Sequence, residues 1–234
     1  MAKSKSFLEI QGTHLGTTHV KSNVYGDYVR APRGTYKPAV VNEAFQKSTS
    51  RLRDANVAAK IIKDALEPFR EGFKGGLFWQ RLLSQFRKQL REHGTIDFSK
   101  CEEIEVNEHY PMSRFLYVDP KLTFDEATRT MNVYLGYGHH PKPKGMNYLE
   151  GYRVGVIGIF PDLEKKHAET MVVYSPVMDM KSEYAPFSLV LPVPVDATSY
   201  LICVKVEGTE RGEICKNAIN KGMKIEKAGR LQDF

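Results

Sequence analysis

FSLVLPVPVDATSYLICVKVE, residues 187–207, places apolar side chains at alternate positions on either side of a polar turn. Side chains of an extended chain alternate between faces, so Phe187, Leu189, Leu191, Val193 and Val195 share one face. Tyr200, Ile202, Val204 and Val206 share another after the turn at Asp196 to Ser199. Two period-2 runs joined by a short turn predict strands that close as a core hairpin. Pro192 and Pro194 lack the N–H that a ladder needs, which confines the end of the first strand to a sheet edge.

Working outward, EIEVN, RFLYV, MNVYLGY, YRVGVIGIF and ETMVVYS carry the same extended character from Cys101 onward, with turn residues between them. Short strands at this spacing predict an antiparallel, Ig-like β-sandwich over residues 100–234. The tail from Glu213, EICKNAINKGMKIEKAG, is compatible with a final hairpin or a short helix.

Upstream the period changes. Phe45, Leu52, Ala55, Ala59, Ile62, Leu66 and Phe69 recur at intervals of three, four and seven, the stripe of an amphipathic helix. Pro68 and the glycines of EGFKGG stop it. A second stripe follows in Phe78, Trp79, Leu82, Leu83, Phe86 and Leu90, giving a helical hairpin. Arg81, Arg87, Lys88 and Arg91 fall on the opposite side of that second helix. A solvated outer face explains such a row, and a phosphate-facing helix is the sharper alternative. Only Gln and Ser stand near it for base contacts, so nucleic-acid binding there would be nonspecific.

The first segment, Phe7 to Arg33, reads as two or three short strands broken by Gly12, Gly16 and Gly26. So small a hairpin is marginal alone and must lean on the helices or on another subunit. A four-residue loop at Leu15 to Thr18 would make His14 and His19 cross-strand neighbours. They supply at most half of a structural zinc's ligands, and no Cys, Asp or Glu lies between Gly12 and Gly26, so no metal is expected.

The fold class expected is therefore α+β: an N-terminal β-hairpin and helical hairpin over residues 1–99, then the sandwich over 100–234. Residues 1–100 carry 18 Lys or Arg against 9 Asp or Glu, and residues 101–234 carry 16 against 19. A basic front half and a mildly acidic back half suit an anionic partner, or the docking of one copy's front on another's back. Three cysteines without a CxxC spacing read as free thiols of a reducing compartment. With no apolar run of membrane length and no signal-peptide pattern, a cytoplasmic protein is expected.

The segment LGTTHVKSNVYGDYVRAP, residues 15–32, resembles the opening of a bacterial family of unknown function, which pairs a Gly-Thr turn with an Asp-Tyr-x-Arg strand end, a polar helix and a β-sandwich. Gly16, Thr17, Asp27, Tyr28 and Arg30 stand at the matching spacing. Asn23 and Val24 replace the Trp and small residues of that pattern, and Gln46–Lys47 replaces its Gln-Arg pair. The resemblance implies architecture and adds nothing about chemistry.

Signatures of common hydrolases and nucleotide binders (GxSxG, P-loop, HExxH, Rossmann) are missing from the sequence. GYGHHPKPKG, residues 136–145, reads as an exposed, stiff loop, because adjacent histidines diverge and two lysines repel a cation. Glu164 and His167 have E-x-x-H spacing but fall in a turn between strands, away from the four-helix setting that a di-iron site requires. A site assembled in space from His139, His140 and His167 is the enzymatic alternative. The leading expectation is a non-catalytic structural or protein-interaction protein with no cofactor and no membrane contact. Its runner-up is a nonspecific nucleic-acid binder. Candidate partner-binding residues are Arg30, Arg33, Arg51, Arg53, Arg81, Arg87, Lys88 and Arg91.

Overall fold

A computed structural model describes residues 2–3, 12–14, 17–21, 27–30, 42–73, 77–108, 110–112, 116, 118–136, 140, 149–183 and 185–234. The chain divides into two compact units, Met1–Gln46 and Lys47–Phe234.

In the first unit four short strands, β1 (Ala2–Lys3), β2 (Gly12–His14), β3 (Thr17–Val20) and β4 (Tyr28–Arg30), form an antiparallel sheet in the order β1-β4-β3-β2. The register corrects the expected histidine pair. His14 stands opposite Thr17 and His19 opposite Gly12, so only residues 15 and 16 separate the paired positions. Thr13 and Thr18 meet across the strands, with hydroxyls 3.0 Å apart. Shortening the loop by two residues turns directly opposed histidine positions into diagonal ones.

Helix α1 (Glu43–Leu66) starts where the Asn42 side chain accepts the N–H of Phe45 at 2.8 Å, satisfying a donor that the first turn leaves open. It stops at a 3-10 turn, Glu67–Phe69, built on Pro68. Helix α2 (Leu77–Glu92) follows, and Phe78, Leu82, Phe86 and Leu90 are buried on one stripe, as the spacing predicts. The stripe of α1 is only half covered. Ala55, Ala59, Ile62 and Leu66 are buried, but Phe45 is 63% and Leu52 39% exposed. After α2 the chain is tied down by the Gln89 side chain, which accepts the Asp97 N–H at 2.7 Å, and by Phe98 edge-on to Phe86 at 5.6 Å.

The remaining strands are β5 (Ile104–Glu105), β6 (Lys121–Asp125), β7 (Thr130–Leu135), β8 (Gly151–Asp162), β9 (His167–Tyr174), β10 (Met178–Asp179), β11 (Phe187–Pro192), β12 (Ser199–Glu210), β13 (Glu213–Ile214) and β14 (Lys221–Arg230). One sheet runs β10-β8-β12-β14-β5, with β9 also on β8 and β13 on β12; the other runs β11-β7-β6. The paired strands are antiparallel throughout, so the chain is an α+β protein.

The expected hairpin between the two halves of residues 187–207 does not form. β11 pairs with β7, Leu189 opposite Val133, while β12 lies between β8 and β14. Both apolar faces do look into one core, which Leu189 and Leu191 enter from one sheet and Ile202 and Val204 from the other. Alternation fixes which face is buried but is silent on whether two such faces lie side by side or opposite each other. The edge expectation for Pro192 holds, since β11 is the outer strand of its sheet. Val195, past that strand's end, is exposed.

The larger sheet is covered on both faces. Ile157, Ile159, Leu201, Cys203, Met223 and Ile225 face α1 and α2, and Val154, Val156, Ile202 and Val204 face the smaller sheet. The helices that sequence groups with residues 1–99 thus share a core with strands from residues 100–234. Double coverage explains YRVGVIGIF: a strand buried on both sides needs apolar residues at consecutive positions. The undecided tail becomes β14, an inner strand of this sheet. KLTFD, residues 121–125, is a strand that the pattern did not flag, because it buries only half of Leu122 and Phe124 at a sheet edge.

Candidate functional site

The predicted cations separate into distinct places. Arg30 is on β4 in the first unit, half-buried, with Nε lacking a hydrogen-bond partner among the described residues. Arg33 lies outside the described residues. Arg51 and Arg53 are exposed on the first turns of α1, where Arg53 is 3.5 Å from Asp54. The other four form one surface on α2. Arg81, Arg87, Lys88 and Arg91 are all exposed, and a helix rise of 1.5 Å per residue spreads them over roughly 15 Å. Arg81 is 3.4 Å from Glu108 and Arg91 is 3.5 Å from Glu92, whereas Arg87 and Lys88 have no ion-pair partner among the described residues. A cavity of about 270 Å³ opens beside this face, lined by Arg81, Gln85 and Lys100 among others.

A larger cleft, about 590 Å³, lies where the chain after α2 meets the β8–β9 turn and the approach to β12. Its rim carries five carboxylates, Asp97, Asp162, Glu164, Glu169 and Asp196, against two cations, Lys165 and Arg230. Three of the five are used to build it. Asp162 accepts the N–H groups of Glu164 and Lys165, both at 2.9 Å, closing the turn between β8 and β9. Lys165 reaches Asp196 at 3.3 Å and Asp162 at 3.5 Å, tying that turn to the segment before β12. Asp97 accepts the Ser99 N–H at 3.0 Å and lies 3.4 Å from Arg230. Burial pushes the Asp97 pKa up, but the Ser99 hydrogen bonds and then Arg230 outweigh it and hold the carboxyl below its ordinary range. Glu164 and Glu169 are exposed and have no ion-pair partner among the described residues.

The histidines are not brought together. His167 lines the acidic cleft, whereas His140 lines a separate cavity of about 320 Å³. His140 Nε2 is 2.6 Å from the carbonyl of Ser182, which can only accept, so Nε2 donates. In the neutral ring Nδ1 then accepts from the Tyr152 hydroxyl at 3.0 Å. His140 is therefore a clamp, half-buried, where an exposed loop residue is expected; His139 lies outside the described residues. Among the described residues no group of three or more His, Cys, Asp or Glu is placed to hold a metal ion.

Protein-family models, curated proteins and solved structures give no match to this chain. What the site can do rests on its own chemistry.

Two charge networks escaped sequence reading. Lys205 is 2.7 Å from Glu207, whose other oxygen is 2.7 Å from Arg153, and the Arg153 guanidinium lies over the Tyr174 ring at 4.2 Å. On the opposite face of the sheet Lys224 bridges Glu226, at 3.0 Å, and Glu103. Burial raises the Glu226 pKa to about 7, partly offset by Lys224. Burial acts the same way on Glu207, but Lys205 and Arg153 overcome it and lower its pKa. The signal was present: VKVE and KIE set opposite charges two residues apart, on one face of a strand. Cys101, Cys203 and Cys215 are buried free thiols. Burial pushes Cys101 up to about 12 and Cys203 well above its ordinary value, which leaves both poor nucleophiles.

Among the described residues no helix is long and apolar enough to cross a membrane.

Proposed function

We propose that this is a non-catalytic structural protein whose role is assembly, either with itself or with another protein. The observation that carries this reading is the first half of α1. Its residues from Glu43 to Arg53 are exposed, and Phe45 and Leu52 extend the buried apolar stripe of the second half into solvent. A surface seam that continues a core stripe is what a docking helix presents. In this reading residues 1–99 are the interaction region and residues 100–234 an Ig-like sandwich that carries it. The charge contrast between the halves supports that division, and two antiparallel sheets sharing one core support the sandwich.

Light scattering coupled to size exclusion, at several micromolar concentrations after nuclease treatment, tests the reading. A mass above that of one chain is expected. Phe45→Asp with Leu52→Asp, both at exposed positions, should lower that mass while leaving the melting curve unchanged. A single-chain mass at every concentration, with no effect of the substitutions on capture of any defined partner, overturns it.

A second reading, nonspecific binding of nucleic acid, is favoured by the α2 face, where Arg87 and Lys88 lack ion-pair partners among the described residues. It predicts that association appears only before nuclease treatment.

A further inference from the structure

We infer that the occupant of the acidic cleft is the cationic face of α2 from a second copy of this chain. The inference rests on the assembly reading and adds a charged contact beside the apolar seam of α1. Both belong to the Lys47–Phe234 unit.

The cleft carries five carboxylates against two cations, and both cations are engaged: Lys165 by Asp162 and Asp196, Arg230 by Asp97. The unmatched charge is held by Glu164 and Glu169, exposed on the β8–β9 turn and on β9. On α2 the complementary surplus is held by Arg87 and Lys88, flanked by Arg81 and Arg91. Among the described residues Glu164 and Glu169 on one surface, and Arg87 and Lys88 on the other, have no ion-pair partner, and the exposed Lys166 on the β8–β9 turn leaves the cleft lining still in excess of negative charge. Contact between them would supply what both lack and would exclude contact between two like surfaces.

The frame of the cleft is fixed before any docking. Lys165 joins the β8–β9 turn to the segment before β12, and Gln89 and Phe98 anchor the side that carries Asp97. With the backbone on both sides held by these contacts, the entropy lost on contact falls mainly on the long Arg, Lys and Glu side chains. Because the two surfaces differ, the contact is head-to-tail. It builds a chain, a closed ring, or a pair held by two such contacts about a two-fold axis.

The test is a charge swap in the full chain. Arg87→Glu with Lys88→Glu removes the donor surface, and Glu164→Lys with Glu169→Lys removes the acceptor. All four positions are exposed, and circular dichroism and melting should match the parent. Each double variant alone is expected to self-associate at least tenfold more weakly by sedimentation. Mixing the two should restore association between them, because one retains its cleft and reverses its helix while the other does the opposite, so that reversed helix meets reversed cleft. For the parent chain, raising salt from 0.05 to about 0.5 M should weaken association, as screening requires. Unchanged self-association in either double variant overturns the inference and leaves the assembly reading in place, since another surface then carries it. A parent chain that is a monomer throughout overturns the assembly reading itself. Association that nuclease abolishes also overturns the inference and assigns the α2 face to a polyanion.

Discussion

Glu226 shows what a buried charge does to this protein's response to pH. It is 3% exposed and faces Lys224, Glu103 and Glu105, with the Cys203 thiol also within its field. Burial is the largest influence; the two neighbouring carboxylates add to it, Lys224 opposes it, and the result is about 7 against an ordinary 4.5. The folded chain therefore holds a proton that the unfolded chain releases. The stabilisation is complete below the unfolded value and is lost as pH rises through about 7. One pKa unit corresponds to about 1.4 kcal/mol, so the loss is bounded at about 3.5 kcal/mol. Urea midpoints should fall between pH 5.5 and pH 8, and Glu226→Gln should flatten that fall. Asp97 and Glu207, lowered by their partners, act at the acid end, outside this window. Equal slopes in parent and variant would show that Glu226 does not set the dependence.

The strand β8 joins the parts of the larger sheet, and at Gly151 a neighbouring backbone approaches it closely. It pairs with Thr209 of β12 on one side and Asp179 of β10 on the other. A Cβ there would sit 2.7 Å from the carbonyl oxygen of Met178 and 2.9 Å from Thr209 Oγ1. A hydroxyl can rotate away but a backbone oxygen moves only with its strand, so Gly151→Ala should cost about 1–3 kcal/mol and loosen β10. Hydrogen exchange at Met180, whose N–H is bonded to the Glu150 carbonyl at 3.0 Å, reads that loosening directly. Protection at the parent level would mean that β10 tolerates the methyl.

At this scale the sequence was most informative where a pattern is local. Both helices, the stop of α1 at Pro68 and the cationic row of α2 follow from local sequence alone. Strand partners do not, because Leu189 and Ile202 carry the same alternation whether they lie side by side or face to face. The acidic cleft was legible only in fragments. Asp97, Glu164 and Asp196 come from three separate turns, and only the folded sheet brings them together.

For the whole molecule, the described cores lie in the Lys47–Phe234 unit. Among the described residues every buried member of both apolar clusters lies at or beyond Ala55. Deleting residues 1–41 keeps the Asn42 cap of α1 and removes no described member of either core. A loss of 1 kcal/mol shifts the melting temperature of a chain this size by roughly 2–4 °C. The truncated protein should therefore melt cooperatively within about 4 °C of the parent. Its association should be weakened if the first unit contributes to assembly, but the contact between α2 and the cleft, which involves none of the deleted residues, should survive with its salt dependence intact. Melting that loses cooperativity, or drops by more than about 10 °C, would show that the first unit completes the fold of the second.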